Sequence, residues 1–186
     1  MQSTFKIVAI GASTGGNVAL RHILSHLSAN FPVPIVYLNR HNSAEPGWLA
    51  QDSSLPAQWA KAGETLATGT IYVCPHGFSC RIQADDTIHL IKTQPSPSTE
   101  ARIDPFFQSV AERYGRQASA LVLSGEGGDG AAGVRILRAK HGTVLVQDPR
   151  SALHPEMPSA VLATGVVEHV LLTGAIAPFL NRLFQM

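Results

Sequence analysis

The sequence predicts one α/β domain with a doubly wound, mostly parallel (Rossmann-like) sheet and an inserted antiparallel β-hairpin. Short apolar, β-branched runs alternate with amphipathic helical patterns along the 186 residues. Near the middle of the chain, two strand-like runs flank a tight turn and interrupt this alternation. Strands that alternate with helices form parallel sheets through right-handed crossovers. Because no composition shift marks a second domain, we expect residues 1–186 to form a single one.

The predicted elements follow one another in a regular order. Each predicted strand is a short apolar run that ends at glycine, proline or polar residues. The predicted strands are 5–10, 34–38, 70–74, 120–124, 143–147 and 166–172, with the hairpin at 79–92 and its turn at 84–86. The predicted helices are 17–27, 46–55, 104–114, 130–140, 155–163 and 175–184, and 93–99 is a polar loop.

Composition excludes several classes of function. A chain with 45% apolar and 15% charged residues is typical of a folded globular domain. The formal net charge of +1 argues against a nucleic-acid partner. No apolar run approaches the roughly 18 residues of a membrane span, and no signal-peptide core is present, so we expect a cytoplasmic protein without membrane insertion. Cys74 and Cys80 are expected to be reduced thiols, and we expect neither a metal nor a cofactor.

A glycine-rich turn, GASTGG (11–16), lies between the first strand and the first helix. As G-x-S-x-G it fits a nucleophile turn that exposes the hydroxyl of Ser13. As a phosphate cradle it lacks the lysine of a P-loop and the spacing of a dinucleotide fingerprint. A third interpretation is a helix cap by Ser13 or Thr14. The motif by itself leaves all three interpretations open.

A nucleophilic serine needs a histidine base near the carboxyl ends of the parallel strands. Of the eight histidines, His41 and His76 directly follow predicted strands, and His154, which precedes a proline, is a third candidate. The remaining five lie on the first helix, in the hairpin, in a helix-ending turn or within the last strand: His22, His26, His89, His141 and His169. The pair on the first helix lacks the glutamate of H-E-x-x-H, which argues against a metal site.

The orienting acid has one leading candidate. Asp129 follows a predicted strand within SGEGGDG (124–130), where four glycines indicate an unusual backbone path. The alternative is that Asp129 caps the helix that follows it. Asp148 is the second choice, and Asp104 is expected to cap the helix that it opens. The order serine, histidine, aspartate differs from that of α/β-hydrolases, so the G-x-S-x-G match is expected to be convergent.

These motifs give the chain a family resemblance. IGASTGG (10–16) and SGEGGDGAAG (124–133) are the strongest matches, and TIYVCP (70–75) and HPEMPSAV (154–161) support them. Over residues 7–184 the chain resembles the catalytic domain of CheB-type chemotaxis receptor methylesterases. The resemblance implies hydrolysis of glutamate γ-methyl esters on chemoreceptors or related sensory proteins, and in some members deamidation of glutamine.

The resemblance also implies roles for individual residues, and it selects His41 over His76 because the histidine of the family follows the second strand. The implied catalytic residues are Ser13, His41 and Asp129, with Thr14, Glu126 and Gly127 supporting them. Backbone N–H groups of the 124–130 loop, with Glu126 foremost, are expected to form the oxyanion hole.

Three segments depart from the family pattern. Glu126 stands where methionine is common, and its carboxylate would disfavour an oxyanion unless it points to solvent or meets a cation. Asn42-Ser43 replaces a hydrophobic-proline pair, and TQPSPSTEAR (93–102) replaces a basic loop. Typical members also carry a phospho-acceptor receiver domain, which is not found within residues 1–186. Two interpretations stay open: a separate receiver domain or protein is a partner, or the enzyme acts alone without that switch. Two rival interpretations are a catalytically weak scaffold of this fold and an anion- or nucleotide-binding module.

Overall fold

The computed structural model describes residues 6–41, 44–93 and 101–184. The strands are β1 (Ile7–Ala12), β2 (Ile35–Asn39), β3 (Ala57–Trp59), β4 (Ile71–Val73), β5 (Phe78–Ile82), β6 (Ile88–Lys92), β7 (Ala118–Val122), β8 (Thr143–Gln147) and β9 (His169–Leu171). The helices are α1 (Gly16–Leu24), α2 (Pro46–Ala50), α3 (Ile103–Tyr114), α4 (Ala131–Ala139), α5 (Glu156–Leu162) and α6 (Thr173–Phe184). No helix within these ranges is long and apolar enough to cross a membrane.

Seven strands form a sheet in the order β3-β4-β2-β1-β7-β8-β9, and every neighbouring pair is parallel. The predicted doubly wound sheet is therefore confirmed. The chain builds outward from β1 on one side and then returns to add β7 on the other, so the strand order switches at β1. In open α/β sheets, ligands bind beyond the carboxyl ends of the strands at such a switch.

The sheet separates two hydrophobic cores, because successive side chains of a strand point to opposite faces. In β1, Ile7 and Ala9 belong to the core covered by α3, α4, α5 and the hairpin. Val8 and Ile10 belong to the other core, which α1 and α6 cover. Burial on both faces explains why the central strands are continuous apolar runs. The same burial fixes the carboxyl end of β1 firmly between its neighbours.

The predicted hairpin is confirmed as the antiparallel pair β5 and β6, whose register runs from Phe78 opposite Lys92 to Ile82 opposite Ile88. Its turn places Asp86 in the left-handed region at a φ of 66°. Both cysteines are buried thiols that are not joined in a disulfide, and the Cys74 side chain raises the pKa of the Cys80 thiol through a hydrogen bond.

The structure corrects several predicted boundaries. It adds β3, a three-residue strand that pairs with β4 at the sheet edge and is too short to show a periodic pattern. The helix predicted at 46–55 ends at Ala50, before a polar segment. The strand predicted at 120–124 ends at Val122, which places Ser124 in the loop beyond it. The last strand is shortened from 166–172 to His169–Leu171, since only β8 pairs with it.

Candidate active site

The turn after β1 places Ser13 at the carboxyl edge of the sheet. The Ser13 N–H donates to the Ser124 carbonyl at 3.0 Å, and the Ser13 carbonyl accepts from Asn39 Nδ2 at 2.9 Å. Ser13 is 1% exposed, and its Oγ finds no hydrogen-bond partner among the described residues. The N-cap of α1 is Gly15, at a φ of 80°, without a side-chain cap. The interpretation of Ser13 or Thr14 as a helix cap is therefore wrong.

Hydrogen bonds join the loops that follow β1, β7 and β8 around Ser13. Ser124 Oγ donates to the Thr14 carbonyl at 2.8 Å and accepts from the His154 N–H at 2.9 Å. The Gly125 N–H donates to the His154 carbonyl at 3.0 Å. A Cβ on Gly125 would lie 2.7 Å from the Ser13 Cβ, so only glycine fits here without a shift. The serine is thus held in a tightly packed junction of three loops, with the exposed Thr14 beside it.

His41 lies beyond the end of β2, next to the serine loop. The strand register pairs Ala12 with Asn39, so the residues that follow β1 and β2 emerge side by side. Arg40 Nη2 and Nε lie 3.1 and 3.3 Å from His41 Nε2. Because a guanidinium can only donate, Nε2 must be the acceptor, and the neutral ring then carries its proton on Nδ1. That tautomer is the one a general base needs, although Arg40 occupies its lone pair.

Neighbouring charges set the protonation state of His41. Loss of hydration lowers the pKa of this imidazole below its ordinary 6.5, and the Arg40 and Arg102 guanidinia lower it further. The Glu126 carboxylate acts in the opposite direction. Arg102 is placed there by a 3.0 Å hydrogen bond from its Nη1 to the Arg40 carbonyl. The net effect keeps His41 neutral at pH 7, as a general base requires.

Asp129 caps α3, the helix that contains Asp104, and Asp104 binds the first turn of α4, the helix that follows Asp129. The buried Asp129 carboxylate accepts hydrogen bonds from the backbone N–H groups of residues 102–104 at 2.8 to 3.0 Å, at the N-terminus of α3. The helix directly after it, α4, has Gly130 as its N-cap residue and accepts no cap from Asp129, so the alternative that Asp129 caps that helix is wrong. Asp104 was expected to cap its own helix. Instead it accepts from the Gly133 N–H of α4 at 2.6 Å, and burial raises its pKa.

Two of the three predicted catalytic residues, Asp129 and His41, are linked through Arg102 and Arg40. Asp129 holds the Arg102 backbone, Arg102 holds the Arg40 carbonyl, and the Arg40 guanidinium holds His41. Among the described residues, no hydrogen bond joins Ser13 Oγ to His41 or His41 to Asp129 directly. The base is therefore held on Arg40, away from both of its expected partners.

The supporting residues lie along the loop after β7. The Glu126 side chain is 53% exposed, and its Oε1 lies 3.4 Å from His154 Nδ1. The carboxylate is thus exposed to solvent, which is one of the two conditions under which it is tolerated, and it lies beside the His154 ring. Within the described ranges nothing accepts a hydrogen bond from the Glu126 N–H. Gly127 follows at a φ of 78°, a conformation that favours glycine.

The other candidates lie in different surroundings. His76 is exposed, and the Asp148 carboxylate is bound by Arg150 Nη2 at 2.6 Å. His22 on α1 and His26, two residues beyond the end of α1, are both exposed, with ring centroids 4.8 Å apart. Over 6–41, 44–93 and 101–184, no cluster of three or more potential metal ligands occurs. Residues 42–43 and most of the 93–102 departure lie outside the described residues.

Sequence reasoning missed Arg40 and Arg102. Arg40 is only 6% exposed, although arginine is rarely buried without an acidic partner. A charged residue directly after an apolar strand and before the candidate base was the available signal. Arg102 gave no such signal, because its contact with Arg40 depends on how α3 packs against β1 and β7.

Comparison with known proteins assigns the family. A model described as CheB methylesterase matches residues 8–180. The chain belongs to the CheB methylesterase family. It is also similar to the crystal structure of the Thermotoga maritima CheB methylesterase catalytic domain, with a TM-score of 0.89 and 30% identity over 96% of this chain and 98% of that one. The resemblance and the fold predicted from the sequence are both confirmed.

Curated CheB relatives are longer than this chain. A Hahella chejuensis protein named protein-glutamate methylesterase/protein-glutamine glutaminase 3 is 34% identical over 184 residues, which cover 95% of this chain and 52% of the relative. A protein of the same name from Anaeromyxobacter dehalogenans is 36% identical over 178 residues, or 92% of this chain and 52% of the relative. The chain thus spans about half the length of these relatives.

Proposed function

We propose that this chain hydrolyses glutamate γ-methyl esters on a protein substrate, with Ser13 as nucleophile, and that it can deamidate glutamine at the same site. One observation carries the proposal: a buried Ser13 hydroxyl, without a hydrogen-bond partner in the part of the chain that the structure describes, lies at the topological switch, one strand away from His41. Membership of the CheB methylesterase family supports this reaction and substrate class.

In the proposed mechanism, His41 first leaves Arg40, so that Nε2 can accept the proton of Ser13 while Oγ attacks the ester carbonyl. The tetrahedral intermediate collapses as the bond from carbon to the methoxy oxygen breaks and His41 gives this proton to that oxygen, which leaves as methanol. Water, deprotonated by His41, then hydrolyses the acyl-serine and restores the free hydroxyl. Because Ser13 is buried in the described state, the movement of His41 is expected to accompany exposure of Oγ to the substrate.

Asp129 is proposed to orient the base once His41 has moved. A carboxylate offers about four acceptor positions. Three backbone N–H groups of residues 102–104 contact these positions in four bonds, because the Ile103 N–H is shared between both oxygens. Its bond to Oδ1 is the longest at 3.2 Å, and Nδ1–H of His41 would replace that bond. Asp129 would thus serve both as the cap of α3 and as the acid of the triad.

The Glu126 N–H is proposed to stabilise the oxyanion, with Gly127 giving the loop its path and Thr14 lying beside the nucleophile. A free backbone donor near the reacting carbonyl is the usual component of an oxyanion hole. The Glu126 carboxylate contacts His154 and solvent, and it can therefore stay away from the oxyanion. His154 therefore acts in this proposal as a partner that keeps negative charge away from the reaction.

The proposed substrate is a methylated chemoreceptor or a related sensory protein, such as a pilus-type one, in the cytoplasm. The curated relatives are about twice as long as this chain, which supports a receiver domain or a separate receiver protein as a further partner. No cofactor and no metal takes part in the proposed reaction.

Release of methanol from a peptide that contains a glutamate γ-methyl ester tests this function. Ser13→Ala and His41→Ala should each lower kcat by at least about 10⁴-fold, as in other triads. His76→Ala is the matched control, because it removes a histidine that follows a different strand, and it should retain activity within about twofold. Full activity of Ser13→Ala would exclude the proposal.

A catalytically weak scaffold is the second candidate, since Arg40 occupies the nitrogen that must act as base. It predicts partner binding without turnover, and unchanged binding in Ser13→Ala. The anion-binding alternative has less support, because the N–H groups of Ser13 and Gly16 already donate to protein carbonyls. It predicts thermal stabilisation by a nucleotide, which a melting experiment measures.

A further inference from the structure

Arg40 is a buried arginine for which the described residues provide no acidic partner. Arg40 is 6% exposed, and among the described residues no carboxylate oxygen lies within 4.0 Å of it. Its side-chain hydrogen bonds go to the His41 ring nitrogen, which is a neutral acceptor. A buried charge is normally paired with an opposite one, because removing it from water is costly. The side chain therefore has capacity for an anion.

The surroundings of Arg40 are open to such an anion. Its Nη1 lies 3.5 Å from where a Cβ of Gly127 would be, so this side of the guanidinium faces an exposed residue that has no side chain. A second guanidinium, that of Arg102, is bonded to the Arg40 carbonyl. Glu126, the acid that raises the pKa of His41, has its Oε1 3.4 Å from His154 Nδ1. Two cations thus share this corner of the site.

A carboxylate is the ligand that best matches this arrangement. A guanidinium binds a carboxylate through two parallel hydrogen bonds, and such charge-assisted bonds are about twice as strong as neutral ones. A carboxylate that reached Arg40 would therefore replace the imidazole of His41 as its acceptor. Release of His41 Nε2 is the step that the proposed ester hydrolysis requires.

We propose that Arg40 is a specificity-determining residue that binds an acidic side chain next to the esterified glutamate of the substrate and thereby frees His41. The inference rests on the proposed methylesterase function and adds to it the chemistry of the flanking substrate residue. Binding energy from a non-reacting part of the substrate would be used to assemble the catalytic site. Substrates without the flanking acid would leave the base on Arg40.

Two peptide methyl esters that differ at one flanking position, glutamate or glutamine, test this inference. Wild-type protein should hydrolyse the glutamate peptide with a kcat/KM roughly tenfold or more above that of the glutamine peptide. Arg40→Gln should bring this ratio close to one, and Arg40→Lys should retain part of it, because lysine keeps the charge without the planar fork. The matched control is Arg138→Gln on α4, a surface arginine near Glu168, which should keep the wild-type ratio.

A second readout separates this inference from the proposed function. Calorimetry compares binding of the glutamate peptide to Ser13→Ala and to the double variant with Arg40→Gln, so that no turnover is needed. Weaker binding by about tenfold in the double variant supports Arg40 even if catalysis is absent. If Arg40→Gln leaves the ratio of kcat/KM between the glutamate and glutamine peptides unchanged, the inference is overturned. It is also overturned if Arg40→Gln changes only how strongly the product acid inhibits the reaction. Activity that persists in Ser13→Ala overturns the proposed function instead.

Discussion

Replacing Asp129 should reduce stability as well as activity, because its carboxylate caps α3. Asp129→Ala removes the acceptor of three backbone N–H groups at residues 102–104. Loss of a helix cap costs about 1–2 kcal/mol, and loss of a buried negative charge at a helix N-terminus adds up to about 2 kcal/mol. We expect the free energy of unfolding to fall by about 3 kcal/mol. Asp129→Asn, which keeps one acceptor oxygen, should lose about half of that amount.

Urea unfolding followed by circular dichroism measures this loss. With a slope of about 2–3 kcal/mol per M, Asp129→Ala should lower the midpoint by about 1–1.5 M at an unchanged slope. Asp148→Asn is the matched control, since its partner Arg150 exposes 82% of its side chain, and its midpoint should stay near that of the wild type. A wild-type midpoint for Asp129→Ala would refute the assignment of Asp129 as the cap of α3.

Three further predictions concern the reaction and the packing around the serine. As the pH falls, kcat/KM should decrease with a midpoint below pH 6.5, because the pKa of His41 is lowered. Glu126→Gln should move this midpoint to lower pH, because Glu126 raises the pKa of His41. A shift to higher pH in the pH–rate profile would contradict this. Ser13→Ala and Ser119→Ala should each raise the free energy of unfolding by about 1 kcal/mol, because each removes a buried hydroxyl without a partner among the described residues. Urea midpoints below that of the wild type would contradict this. Gly125→Ala should lower kcat/KM by about 100-fold, because its Cβ would displace Ser13, and retained activity in the ester assay would disprove that packing argument.

The fold was predictable where burial leaves a clear pattern. Strands β1, β2, β7 and β8 are buried on both faces and therefore appear as apolar runs. The three residues of β3, Ala-Gln-Trp, are only partly buried and too few to form a pattern. The ends of edge elements such as β9 depend on pairing partners that a local pattern does not contain.

The candidate site was predictable in position but not in its contacts. Ser13, His41 and Asp129 each follow a strand, and parallel strands bring their carboxyl ends to one edge. The bonds of Asp104 to α4 and of Asp129 to α3 depend on how these two helices pack, which no local pattern determines. The contact between Arg40 and its neighbouring histidine likewise depends on burial that the strand pattern does not reveal.

Reaction with a fluorophosphonate probe, followed by mapping of the labelled residue, tests most directly whether Ser13 is an activated nucleophile. The account predicts one label, on Ser13, that disappears in His41→Ala and persists in His76→Ala. Absence of a label on Ser13 in folded protein, or equal labelling in His41→Ala, would contradict it.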